Sequence, residues 1–216
     1  MEKIALKNVL PEVFATRDDI QSEIWHKEVL LEKGKVYLIE ANSGTGKSSL
    51  CSYITGYRRD YQGIIDFDGS NIRNLKIKDW ARLRRESLSI LFQELRLFPE
   101  LTAYENVSIK NGLTRFKSQK EIHAWFEALG IEDKINTKVG LMSFGQQQRV
   151  AMIRSLVQPF DFLLADEPIS HLDENNSRIM AELMMAEARR QGASVIVTSI
   201  GRSEERRVGK ESRYRG

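Results

Sequence analysis

Short apolar runs and stretches of helical periodicity take turns along this chain. "KVYLIE" (35–40), "LSILF" (88–92), "DFLLA" (161–165) and "ASVIVTS" (193–199) are apolar and of strand length. Residues 47–57 read as a helix opening at a glycine-rich loop, and "DWARLRRE" (79–86) reads as a charged helix. "IIDFDGSNI" (64–72) predicts a strand, an Asp68-Gly69 turn and a second strand edge. The alternation argues for an α/β fold with a mostly parallel sheet and an antiparallel β edge.

Residues 94–142 break this rhythm. In "SQKEIHAWFEALGIEDK" (118–134), Ile122, Trp125, Phe126 and Leu129 recur at helical spacing with no strand pattern between them. This predicts a helical subdomain, about 94–142, inserted in the sheet domain. In "LMSFGQQQRVAMIRSL" (141–156) a turn-like Ser-Phe-Gly opens a helix with Val150, Ile153, Leu156 and Val157 on one stripe.

Composition narrows the class. A chain of 216 residues with 41% hydrophobic and 29% charged residues is one soluble globular domain rather than a disordered segment. No apolar run approaches the ~18 residues that cross a bilayer, and "MEKIALKNV" does not read as a secretory leader. The single Cys51 excludes an internal disulfide and a cysteine metal cluster. A cytoplasmic protein is expected.

The net charge of +3 hints at nucleic acid until it is located. Of 33 basic and 30 acidic residues, six and three lie in "RSEERRVGKESRYRG" (202–216), leaving 27 of each sign elsewhere. "RSEERRVGKE" also back-translates to DNA resembling a common short-read sequencing adapter. The expectation is a domain over 1–201 followed by a non-native tail, 202–216, with the true C-terminus missing and no nucleic-acid partner.

The chemistry starts at "EANSGTGKSSL" (40–50). A strand, a Gly/Ser-rich turn and Gly46-Lys47-Ser48 opening a helix are the parts of a phosphate-binding loop, in which backbone N–H groups and a helix N-terminus meet the anion. Asn42, Ser43, Gly44, Thr45, Gly46, Lys47, Ser48 and Ser49 are the candidate nucleotide contacts. Lys47 would reach the β- and γ-phosphates and the Ser48 hydroxyl would hold Mg²⁺. Ala41 occupies the position of the first glycine, tolerable if its φ is negative. In "FLLADEP" (162–168) a buried strand ends on Asp166 and Glu167, a carboxylate to hold Mg²⁺ and one to polarise the attacking water.

Taken with "MSFGQ" (142–146) between these two motifs, the chain resembles the ATP-binding cassette ATPases. The family signature Leu-Ser-Gly-Gly-Gln stands here with Ser143, Gly145 and Gln146 kept and Phe144 replacing the first glycine. Gln93 resembles the family glutamine that reaches Mg²⁺ and senses the membrane partner, and "ISHLDE" (169–174), with Ser170, Leu172 and Asp173, resembles the loop after it. Phe14 aligns loosely with the aromatic that stacks on adenine; Val13 competes, and a core phenylalanine is an equal reading. The family histidine that contacts the γ-phosphate is replaced by Ser199. "KIKDWARLRRESLSILFQELRLFPELTAYENV" (76–107) looks most like the branch serving lipoprotein release, macrolide export and cell division. The resemblance implies ATP and Mg²⁺ as ligands and a head-to-tail dimer, each ATP lying between one chain's phosphate loop and the other's signature. It further implies separate transmembrane subunits at the inner face of the cell membrane and an ATPase slowed by Ser199. The alternative is a low-turnover, ATP-dependent switch on a membrane partner.

Overall fold

The computed structural model describes residues 1–17, 20–42, 44–169, 173–200 and 212–215. In chain order its first elements are β1 (Lys3–Pro11), β2 (Glu28–Glu32), β3 (Val36–Ala41), α1 (Lys47–Ile54), β4 (Tyr61–Phe67) and β5 (Ser70–Asn71). Next come α2 (Ile77–Glu86), β6 (Leu88–Leu91), α3 (Ala103–Asn111), α4 (Gln119–Ala128) and α5 (Phe144–Leu156). β7 (Phe162–Asp166), α6 (Glu174–Gln191), β8 (Ser194–Ile200) and β9 (Ser212–Arg215) complete the set.

The strands form two sheets. One is antiparallel, in the order β2-β1-β4-β5; the other is parallel, in the order β6-β7-β8-β3-β9. The expected Asp68-Gly69 turn joins β4 to β5, with φ of 50° and 85° at its two residues, the left-handed angles a two-residue hairpin turn needs.

Period-two alternation in the parallel sheet divides the interior. On β7, Phe162 and Leu164 pack with β1, α1, β4 and α2; Leu163 and Ala165 pack on the opposite side, with α3, α4, α5 and α6. On β8, Ile196 faces the first cluster and Val195 the second. A continuous apolar run is what a strand covered on both faces requires.

Several elements differ from expectation. β1 and β2 are absent from the periodicity reading because β1 is charged on its open face at Lys3 and Lys7, and its ladder to β4 shifts after Lys7. The helix expected over 47–57 ends at Ile54, where the Thr55 hydroxyl bonds back to the Cys51 carbonyl at 2.6 Å. Helical spacing over 118–134 holds only through Ala128; Ile131 then enters the core from beyond the helix end. α6 goes unpredicted although Met180, Met184 and Ala188 recur every fourth position on its buried face. Within the segment expected to be a tail, Ser212–Arg215 lies parallel to β3 as an edge strand. Residues 201–211 lie outside the described residues.

Candidate functional site: a strand-tip phosphate cradle

β3 runs out at Ala41 and α1 begins at Lys47, so the loop joins a strand tip to a helix N-terminus. Gly46 caps α1 with φ +95°, and a Cβ there would lie 3.0 Å from Trp25 Cζ2 and 3.2 Å from Phe14 Cε2. Both the backbone angle and the packing demand glycine. Thr45 Oγ1 donates to the Asn42 carbonyl at 2.8 Å, and Lys47 Nζ donates to the same carbonyl at 3.0 Å. Ser48 is exposed at the helix start, and the Ser49 hydroxyl accepts from Arg58 Nη1 at 2.9 Å. Ser43 lies outside the described residues. One turn on, burial aided by the Asp166 charge pushes the Cys51 thiol well above its ordinary range, leaving it neutral and unreactive.

The parallel register brings two more strand tips to the same edge. Asp166 pairs with Thr198 across β7 and β8, and Glu40 pairs with Ser199 across β3 and β8. The C-terminal edge of a parallel sheet is where open α/β folds place ligands. Asp166 is 5% exposed, and its Oδ1 accepts from Thr198 Oγ1 at 2.6 Å. Glu167 follows with φ +49°, and its N–H donates to both the carbonyl and the hydroxyl of Thr198, each at 3.2 Å. A non-glycine residue at that angle costs about 1–2 kcal/mol, a strain characteristic of working sites. The turn delivers the Glu167 carboxylate to Lys47, Oε1 to Nζ 3.5 Å, and Gln93 Nε2 donates to Oε2 at 3.2 Å. Lys47, Gln93, Asp166, Glu167 and Ser199, spread over some 150 residues of sequence, thus gather at one edge of the sheet.

Other expected contacts fall elsewhere. Phe14 is 8% exposed beneath Gly46, with the Arg17 guanidinium 5.2 Å from its ring centre, whereas Val13 is 69% exposed. Of the readings open for Phe14, this placement favours the core one. Ser143 caps α5, accepting from Gln146 N–H at 3.3 Å, while Gln146 Oε1 accepts from Ser143 N–H at 2.9 Å. Ser143 and Gln146 therefore cap each other, Gly145 lies in the first turn beside them, and none of the three bonds to the phosphate loop among the described residues. Asp173 caps α6: its carboxylate accepts from the Asn176 N–H at 3.0 Å, a bond that holds its pKa below the usual range. Ser170, His171 and Leu172 lie outside the described residues.

Two residues escaped the sequence reading. Thr198 holds both carboxylate-bearing residues; the signal was a polar side chain inside the apolar run "VIVTS". Trp25 is buried under the phosphate loop and donates from Nε1 to the Thr45 carbonyl at 2.9 Å. Beside Gln93 lies a cleft of about 300 Å³ whose lining includes Tyr57, Arg84, Phe92, Arg96, Lys110 and Arg154. Arg96 is 3.7 Å from Glu94, while Arg84, Lys110 and Arg154 pair with no carboxylate among the described residues. Burial lowers the pKa of Lys110 and brings that of Arg154 down to about 10.

No group of three or more His, Cys, Asp or Glu forms a metal cluster among the described residues. The oxygen-bearing side chains carried to this edge of the sheet are the Asp166 carboxylate at the tip of β7, the Ser48 hydroxyl in the first turn of α1 and the amide of Gln93, which touches Glu167. A sparse oxygen set of this kind fits Mg²⁺, which keeps its waters and shares phosphate oxygens, better than a cation needing a full protein cage.

Comparison with known proteins agrees with this arrangement. A family model described as "ABC transporter" matches residues 27–170. The ABC transporter ATP-binding protein YtrE of Bacillus subtilis is 31% identical over 80% of this chain and 79% of its own length. The lipoprotein-releasing system ATP-binding protein LolD of Buchnera aphidicola is 34% identical over 71% of this chain and 69% of its own. Among solved structures, the dimeric structure of the bacterial ABC transporter cassette MJ0796 superposes with a TM-score of 0.77 at 26% identity, covering 91% of this chain and 87% of that one. The strand-tip cradle, the paired carboxylates and these likenesses converge: the chain belongs to the ABC transporter family, as an ATP-binding cassette.

Proposed function

We propose that the chain binds and hydrolyses Mg-ATP as the motor subunit of a transporter whose membrane-spanning parts are separate chains. The observation that carries this reading is the placing of the Glu167 carboxylate 3.5 Å from the Lys47 ammonium, steadied by Gln93 and by Thr198 behind it. Lys47 and the loop N–H groups hold the β- and γ-phosphates. Ser48, Asp166 and Gln93 would hold Mg²⁺, which when bound would neutralise charge on the phosphate oxygens. Glu167 polarises a water and takes up its proton as the water oxygen bonds to the γ-phosphorus. The bond from that phosphorus to the β-phosphate bridging oxygen breaks, and ADP and phosphate leave. Lys47→Ala should weaken Mg-ATP binding at least tenfold, about 1.4 kcal/mol; equal affinity in parent and variant by calorimetry would remove the assignment.

Among the described residues, Ser143, Gly145 and Gln146 make no bond to their own phosphate loop, which supports completion of each site by a second copy placed head to tail. No helix among the described residues is long and apolar enough to cross a membrane; the reading therefore places the chain at the inner face of the cell membrane through its partner. The cleft beside Gln93 supports the docking of that partner. Its three cations without carboxylate mates fit an acidic segment, and Lys110→Glu should weaken co-purification with the membrane subunits severalfold. Undiminished recovery would move the docking surface elsewhere.

A second reading, a slow ATP-dependent switch, is favoured by Ser199 at the tip of β8 opposite Glu40. Serine is shorter than the family histidine and uncharged, so it lacks that residue's reach to a γ-phosphate.

A further inference from the structure

We infer that Trp25 is a positioning residue for nucleotide binding, aiming a phosphate-loop N–H by holding the carbonyl of the same peptide unit. The inference rests on the reading of residues 42–48 as a phosphate cradle. The indole Nε1 donates to the Thr45 carbonyl at 2.9 Å, and the ring is 4% exposed. A trans peptide is planar, with its C=O and N–H pointing in opposite directions, and no cis peptide occurs among the described residues. Fixing the Thr45 carbonyl downward against the indole therefore turns the Gly46 N–H away from the core, to the outer face of the loop. That N–H donates to no group among the described residues.

The indole is itself held. Ser22 Oγ accepts from the Trp25 N–H at 2.9 Å and from the Ile24 N–H at 3.0 Å, pinning the turn that carries the tryptophan. Phe14 packs beside it under Gly46. Lys47 begins α1 immediately after this peptide, so the same restraint sets the start of the helix. The loop has alanine at position 41, where a glycine begins the usual pattern; the tryptophan supplies a restraint from below, through a segment outside the motif.

The test separates the N–H from the ring. Trp25→Phe removes the donor and some volume. Replacing Trp25 with 3-benzothienylalanine, in which sulfur stands for the N–H, removes the donor and keeps the shape. Both proteins should fold with melting temperatures within a few degrees of the parent. Both should show Kd and KM for Mg-ATP raised about fivefold, the scale of one oriented hydrogen bond, with kcat falling by a smaller factor, because the Gly46 N–H holds the phosphates alike before and during reaction. Parent-like Kd in the benzothienyl protein overturns the inference and leaves the tryptophan as packing alone. A kcat loss as large as the rise in KM overturns it too, since that marks a damaged loop rather than one lost contact. If the parent itself fails to bind Mg-ATP, the cradle reading falls and this inference falls with it, an outcome distinct from the other two.

Discussion

Thr198 and Asp166 face each other across the ladder of β7 and β8, and the threonine hydroxyl donates to Asp166 Oδ1 at 2.6 Å. The same hydroxyl accepts from the Glu167 N–H. One fully buried oxygen thus fixes the orientation of the carboxylate assigned to Mg²⁺ and the backbone of the carboxylate assigned to the water.

Thr198→Val keeps the shape and deletes this oxygen. It leaves the Glu167 N–H with its second acceptor, the Thr198 carbonyl, and removes a donor from a buried carboxylate, a loss of about 1–3 kcal/mol. We expect ATPase turnover to fall about 10- to 100-fold with the fold intact by circular dichroism. Unchanged turnover would show that the strand ladder alone orients the pair.

Glu167→Gln should abolish hydrolysis while retaining Mg-ATP binding, because the amide cannot take up the proton. Ser199→His tests the other side of the site. Loss of one preorganised donor typically costs ~10²–10³ in rate, so restoring the histidine should raise turnover at least tenfold. If the parent already hydrolyses ATP at ~1–10 s⁻¹, within the ordinary enzyme range, the argument from Ser199 fails and the switch reading loses its support.

The stability of the helical region should respond to acid through Glu121. Bonds from the backbone N–H and hydroxyl of Ser118, then the nearby Lys117 ammonium, hold its pKa at about 2, below the 4.5 of an ordinary glutamate. A depressed carboxyl pKa contributes stability that is present above about pH 4.5 and lost as pH falls toward 2. Glu121→Gln, scanned by melting temperature against pH, should flatten the curve in that window; a curve parallel to the parent's would show that other carboxylates carry the acid response.

We propose that residues 202–216 are foreign to the gene, although Ser212–Arg215 is placed beside β3. Long-read sequencing of the locus should give different codons after Gly201. The same codons in the genome would make β9 a native edge strand.

What could be read from the chain follows a physical divide. β7 announces itself because burial on both faces forces an unbroken apolar run, and Gly46-Lys47-Ser48 because a left-handed helix cap leaves few residue choices. β1 stayed hidden because Lys3 and Lys7 alternate with Ile4 and Leu6 over a strand that then shifts register. Thr198 could not be assigned because its role depends on a partner 32 positions away, set by strand register. The same holds for Trp25, 20 positions before the carbonyl it holds. Ser143 and Gln146 were legible as a motif, whereas their reciprocal capping bonds were not used in reading it.

That reciprocal cap has a genetic consequence. If each nucleotide site joins the phosphate loop of one chain to the α5 start of another, the two halves are inherited together but work apart. Two alleles, one disabled at Lys47 and the other at Gly145, would each be silent alone. A mixed pair of their products would hold one site with both defects and one with neither. Co-expression should therefore restore part of the activity, an intragenic complementation that a site closed within a single chain cannot give.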